Sequence, residues 1–261
     1  MCCIIVSAIQ IIIKEIITMA EKKITRVDGK TATVKDAKPV GNAGGYRAGA
    51  VILWLAAIAL EVVAVLVLFS KIEITFMNPL YFIIGALVLD LVCVIIGSQL
   101  WKKANHIAPA SEKNKVKFWL WNNMGLIVCA FAFVPFIIIA LTNKEADKKT
   151  KTIAAVVAIV ALLIGGVASV DWNPISAEEK EAAIAALNQD VYWTRFGGVY
   201  HTSTECSHLN NSDELFTGNV EQAIADGKTR LCKTCEKRDN IVIEKGEEAE
   251  KTEEATATEA E

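Results

Sequence analysis

The sequence predicts a membrane α-helical protein, a four-transmembrane-helix bundle followed by a small α+β domain organised around one Cys/His cluster. Three observations carry this. The 261 residues are 53% hydrophobic with a positive mean hydropathy, unusual for a soluble chain. Four apolar stretches each approach the ~20 residues a helix needs to cross hydrocarbon. Of seven cysteines, Cys206, Cys232 and Cys235 share one polar segment with His201, whereas Cys2, Cys3, Cys93 and Cys129 sit in apolar runs. A net charge of -3 gives no bulk electrostatic case for nucleic acid.

Residues 1–18 read as a gene-call extension ahead of Met19. Their apolar run from Cys2 to Ile13 is too short to span and meets Lys14 and Glu15, and they lack the basic start and small-residue cleavage site of a signal peptide. Acylation of Cys2 or Cys3 is the other reading. Residues 19–48 read as a flexible basic segment, with seven Lys and Arg between Glu21 and Arg47 and no useful helical or strand periodicity.

The spans, within residues 49–170, cover Gly49–Phe69, Leu80–Trp101, Phe118–Leu141 and Thr152–Val170, and none contains Lys or Arg. Trp54, Trp101, Trp119 and Trp121 lie near span ends, where amphipathic rings favour the headgroup level, and Pro135 predicts a kink in the third span. Basic residues divide 12 to 5 in favour of the side that holds the amino terminus. The positive-inside rule then places both termini in the cytoplasm, with the spans in a bacterial cytoplasmic membrane, although the third loop, with four basic residues, opposes it.

Small and polar residues recur along each span at spacings of three and four, the period of a packed seam. The seams are Ala50, Trp54, Ala57, Glu61 and Ala64; Ile83, Ala86, Asp90, Cys93 and Gly97; Asn122, Gly125, Cys129 and Ala132; and Ala154, Ala158, Ala161 and Gly165. Glu61 and Asp90 are intramembrane acids, each costing about 2.5 kcal/mol or more near mid-bilayer, so they should face the interior. At ~1.5 Å per residue from Phe69 and Leu80, they lie about 12 and 15 Å deep and can meet. They read either as hydrogen-bonded glue between helices or as a proton or cation site. Asn122 and Asn123 match this depth poorly, and Cys93 and Cys129 read as small packing residues.

Residues 171–190 hold a spacer helix opened by the capping box Ser176/Glu179, and residues 239–261 form an acidic tail too polar to fold. Between them, residues 191–238 make a domain too small for a hydrophobic core alone. Val191–Thr194 and Val199–His201, separated by Arg195-Phe196-Gly197-Gly198, predict a hairpin, and Tyr192, Trp193, Phe196 and Tyr200 its small core. Asn219 caps a helix over Val220–Asp226, ended by Gly227. The metal ligands are His201, Cys206, Cys232 and Cys235. Three thiolates and one imidazole suit one structural zinc ion, a closed Cys3His site with no position for a reactive water. His208 is a secondary metal candidate. Cys232-Lys-Thr-Cys235 alone lacks the strand-then-helix setting of a redox dithiol.

These residues carry a resemblance. Val-Tyr-Trp-Thr, Val-Tyr-His, Cys206-Ser-His-Leu209, the Val-Glu-Gln-Ala-Ile helix and Cys232-Lys-Thr-Cys235 resemble the Ada-type metal-binding module, over residues 191–238. The resemblance implies a zinc-stapled fold of the kind appended to diverse bacterial membrane and secreted proteins. In the repair protein of that family the first ligand is a cysteine that accepts a methyl group; His201 stands there in this chain, so methyl transfer is unsupported.

The sequence therefore favours a non-enzymatic, membrane-anchored zinc protein whose partners are the lipid bilayer and a protein engaging the C-terminal module by docking or sensing. One alternative is a small transporter or channel using Glu61 and Asp90. Another is nucleic-acid binding through Arg195, Lys228, Arg230, Lys233, Lys237 and Arg238, disfavoured by the adjacent acidic tail. Neither a Ser/His/Asp set nor a phosphate-cradling glycine loop is present to suggest catalysis.

Overall fold

The computed structural model of the chain describes residues 21–25, 29–144 and 146–243. The expectations for residues 1–18 and for the tail beyond Ile243 lie outside them. The chain divides into two compact units, one of residues 42–177 and one formed by both flanks of that stretch.

The first unit is helical: α1 (Ala43–Leu68), α2 (Pro79–Ile107), a short α3 (Lys115–Asn122), α4 (Met124–Thr142) and α5 (Lys148–Ser169). Asn or Asp starts most of these. Asn42, Asn78, Asn114 and Asp147 each accept a backbone N–H of the first turn through the side chain, satisfying donors that have no partner inside the helix. Several helices thus begin several residues before their apolar runs, because the cap rather than hydropathy sets the boundary. The third predicted span is interrupted at Asn123, which links α3 to α4, and Pro135 lies inside α4. The four long helices, 19 to 29 residues, extend about 28 to 44 Å, enough for the ~30 Å hydrocarbon layer.

α1 packs on α2 and α4, α2 on α4 and α5, and α4 on α5. Apart from half-buried Cys93, whose place Val94 takes, the seam residues predicted from sequence are buried. Small residues let the helices approach closely: a Cβ on Gly97 would lie 2.6 Å from the Trp54 ring nitrogen, and one on Gly165 would lie 2.8 Å from Cys129 Sγ. Facing outward are Ile52, Leu55, Phe131, Leu163 and Val167, each more than 60% exposed. Only about a third of each helix's apolar window is buried inside the unit. Its outer surface is therefore apolar far beyond the patches soluble monomers expose.

Trp54, Trp101 and Trp121 cluster within this unit, with neighbouring centroids 5.3 Å apart and rings tilted by 38° and 57°, while Trp119 is exposed. Arg47 lies over Trp101 and Trp121, at 5.8 and 5.4 Å, and donates to the Ala108 carbonyl that ends α2. Nearby, Lys102 donates to the Ala168 and Val170 carbonyls at the end of α5. His106 pairs with Asp171 at 3.0 Å, and burial raises the Asp171 carboxyl less than His106, Lys102 and the Asn173 N–H lower it, leaving it below the usual range.

The second unit corrects the reading of residues 19–48 as flexible. β1 (Glu21–Thr25) and β2 (Thr31–Asp36) form an antiparallel hairpin, turned where Gly29 takes φ +77°, in a four-stranded sheet of order β1-β2-β5-β3. The other two strands are β3 (Val191–Trp193) and β5 (Glu214–Gly218). β2 runs parallel to β5 with Val34 beside Leu215, and β3 is antiparallel to β5. Ala32 and Val34 alternate inward to join Val191, Trp193, Leu215, Val220 and Ile224 in the core. The spacer helix is α6 (Ala177–Ala186), where Lys180 bonds Glu221 at 3.2 Å.

The predicted hairpin of residues 191–201 reduces to one reciprocal bridge. Tyr192 and His201 exchange backbone hydrogen bonds of 2.7 Å, after which β3 joins the large sheet and β4 (Val199–Tyr200) pairs in parallel with β6 (Arg230–Leu231). Phe196 leaves the predicted core for the intervening loop, 93% exposed with Arg195 over its ring. The cap on α7 (Val220–Ala225) is as read: Asn219 accepts the Gln222 N–H at 2.8 Å, Gln222 returns the bond at 3.0 Å, and Gly227 follows at φ +81°.

This pairing makes the β2 side chains part of the C-terminal unit's core. Val34→Asp buries an unpaired charge there and should cost about 3 kcal/mol. Thermal unfolding of the full chain, followed by hydrogen exchange of residues 191–238 read by mass spectrometry, should show a lower midpoint for that variant and little change for Thr31→Asp at an exposed position of the same strand.

Candidate metal centre

Three segments of the second unit converge on one point. His201 follows β4, held by its bridge to Tyr192. Cys206 precedes the 3₁₀ turn Ser207–Leu209, and Leu209, fully buried, pins that turn to the core. Cys232 follows β6 and stands at the N-cap of α8 (Lys233–Asp239), and Cys235 lies in that helix's first turn. The Cys232 N–H donates to the Tyr200 carbonyl at 2.9 Å, registering β6 against β4 and so bringing the Cys-x-x-Cys pair to His201.

The donor atoms of His201, Cys206, Cys232 and Cys235 all lie within 4.8 Å of one another, and all four residues are buried. Cys206 Sγ is 4.0 Å from Cys232 Sγ, and Cys235 Sγ is 3.8 Å from His201 Nδ1. A disulfide needs about 2.05 Å, and the thiols are free. Around a tetrahedral ion, with sulfur at ~2.3 Å and nitrogen at ~2.0 Å, neighbouring donors stand about 3.5 to 3.8 Å apart. The cluster thus fits one metal ion with small adjustments, and the four protein donors fill a tetrahedron.

The electrostatics suit ligation. Burial, reinforced by His208, lowers the His201 imidazole to about 4, so it is neutral at neutral pH, the form that binds metal. Burial pushes the Cys206 thiol up to about 12. Burial also raises Cys232, but the N–H groups of Cys235 and Thr234, the Cys206 thiol and the Thr234 hydroxyl outweigh it and bring this thiol below its ordinary value. Several thiolates crowded into one buried volume would repel one another, and a cation bound among them offsets that cost. Arg238 donates to Asp239 and, at 2.8 Å, to Thr202 beside His201, strapping α8 to the ligand-bearing segment with a positive charge.

His208 stands beside the set rather than in it. Its ring centroid is 6.5 Å from that of His201, and its Nε2 is 3.0 Å from Thr234 Oγ1. Of the basic residues considered for nucleic acid, Lys228 is buried, donating to the Arg195 carbonyl at 3.1 Å, and Arg238 is engaged with Thr202 and Asp239. A cleft of about 700 Å³ adjoins the cluster, bordered by His201, Cys232, His208, Arg230, Lys233 and Glu236.

The two acids predicted within the spans belong to the other unit. Both are buried, Glu61 at 8% exposure and Asp90 at 0%. They lie in a core that includes Ala57, Ala64, Leu87, Val94, Cys129 and Phe133. Neither Asp90 oxygen has a hydrogen-bond partner. Asn122 bonds Asn105 at 3.4 Å near the tryptophan cluster and takes no part. Sequence reasoning missed β1 and β2, for which the turn signal Asp28-Gly29 and the alternation Thr31-Ala32-Thr33-Val34 were available.

Comparison of the chain with known protein families, with curated proteins and with solved structures finds no match.

If the four residues act as one ligand set, His201→Ala and Cys235→Ala should each lower the metal content of the reduced full chain from one ion to well below stoichiometric, with His208→Ala retaining it. Elemental analysis by mass spectrometry reads the difference.

Proposed function

We propose that this chain is a membrane-anchored, non-enzymatic zinc protein: α1, α2, α4 and α5 span a bacterial cytoplasmic membrane, and the unit built from both flanks is a docking or sensing module on the cytoplasmic side. The observation that carries the reading is the pairing of a four-donor cluster with four helices long and apolar enough to cross a membrane.

Three thiolates with an imidazole favour zinc, which is content in a tetrahedron and carries no redox chemistry. With every position filled by protein, the ion would supply folding energy rather than an activated water. The similarity of ligand order to the Ada-type module supports the same assignment, and His201 in the methyl-accepting place argues for a purely structural role. The cleft beside the cluster, bordered by charges of both signs, gives a protein partner a place to engage.

Topology supports the anchoring. β2 precedes the four helices and β5 follows them, yet the two pair in one sheet. A chain that leaves a sheet, crosses a bilayer and returns to it must cross an even number of times, and four spans satisfy this. The greater number of basic residues on the flanking side favours the cytoplasm.

Reporter fusions test the sidedness: a cytoplasm-dependent fluorophore fused at either end of the full chain should be bright, and a periplasm-dependent phosphatase inactive. Reporters that disagree between the two ends would contradict the shared sheet, and two active phosphatases would invert the orientation. Bound metal that proves to be iron would replace the zinc assignment.

A further inference from the structure

The metal reading leaves the two acids in the helical unit unused, and their geometry separates glue from site. Carboxyls that hold helices together do so by hydrogen bonding, and a bonded pair satisfies its buried oxygens. Asp90 does neither: it is fully buried and both its oxygens lack a partner. An ionised carboxylate in that position would be buried without a hydrogen bond or a counter-charge, which strongly favours its neutral, protonated form.

Glu61, on the antiparallel neighbour α1, is near enough for its charge to act on Asp90, and the Phe136 backbone N–H of α4 lies within interacting range of Glu61. Among the described residues, the other titratable groups within electrostatic reach of Asp90 are Cys93 on its own helix and Cys129 on α4, while the buried face of α5 offers Ala, Gly and Ser. That set contains no cationic side chain. A hard metal ion seeks about six oxygen ligands, and the alanines, thiols and phenylalanines around the pair do not provide them. The proton is the one cation that needs a single oxygen and no cavity.

We propose that Asp90, with Glu61 beside it, is a proton-binding site inside the helical unit, loaded and unloaded by exchange with solvent protons. On loading, a proton joins one carboxylate oxygen of Asp90 and removes its charge; on unloading, it leaves to water, and the negative charge returns to the pair. The inference stands independently of the metal site, since it concerns residues of the other unit and its test does not read metal.

Infrared spectroscopy of the full chain in lipid nanodiscs, over a pH series in H2O and D2O, reads the proton directly. The expected result is a protonated carboxylic C=O band at neutral pH that shifts in D2O, declines as pH rises and is lost in Asp90→Asn. Glu61→Gln should keep the band and move its midpoint. Absence of the band, its survival in Asp90→Asn, or a band unchanged across the whole pH series and in D2O would overturn the proposal. A midpoint that moves with sodium concentration would reassign the site to a metal cation. Should Asp90→Asn fail to fold, the wild-type titration and its D2O shift decide alone.

Discussion

The parallel pairing of β2 with β5 is the constraint on which the rest of the architecture turns. It joins segments about 180 residues apart. The four long helices in between pack as two consecutive pairs, α1 on α2 and α4 on α5. The sheet in turn enlarges the core of the C-terminal segment. Residues 191–238 bury Val191, Trp193, Tyr200, Leu209, Leu215 and Ile224, and Ala32 and Val34 of β2 join them. A metal ion on the other side would complete a domain too small to be held by apolar burial alone.

Within that unit, local rules and the cluster agree. The bridge between Tyr192 and His201, the bond from Cys232 to Tyr200 and the fully buried Leu209 each fix one ligand-bearing segment by its backbone, leaving side chains to meet with little freedom. Thiols that share a buried volume with an imidazole repel one another if several ionise, and a cation reverses that cost. The helical unit meets the opposite problem. Its outer surface is broadly apolar, and its interior is closed by small residues at the helix seams and by Ile83, Leu87, Phe133 and Phe136 between them, so that the carboxyls of Glu61 and Asp90 are conspicuous by their cost.

Much of this was legible in the sequence. The three-and-four spacing of small residues identified the buried seams, because helical periodicity is local and needs no knowledge of partners. The four clustered donors were legible for a related reason: donor type and spacing restrict a candidate tetrahedral site strongly. What escaped were features set by distant partners. β2 is six residues long and becomes a strand by pairing with β5, and β3 and β4 part company because each finds another strand. The tryptophans were read by position in the spans, which gave no sign of the contact of Trp54 with Trp101 or of Arg47 with the Trp101 ring. Helix starts followed Asn and Asp caps, which hydropathy ignores.

Hydrogen exchange read by mass spectrometry, on the full chain in nanodiscs before and after chelation, tests the central claim most directly. A metal-stapled unit made from both flanks predicts that chelation speeds exchange in residues 31–36 and 191–238 together while the four long helices stay protected. Unchanged protection of residues 31–36, or of the whole C-terminal segment, would contradict it.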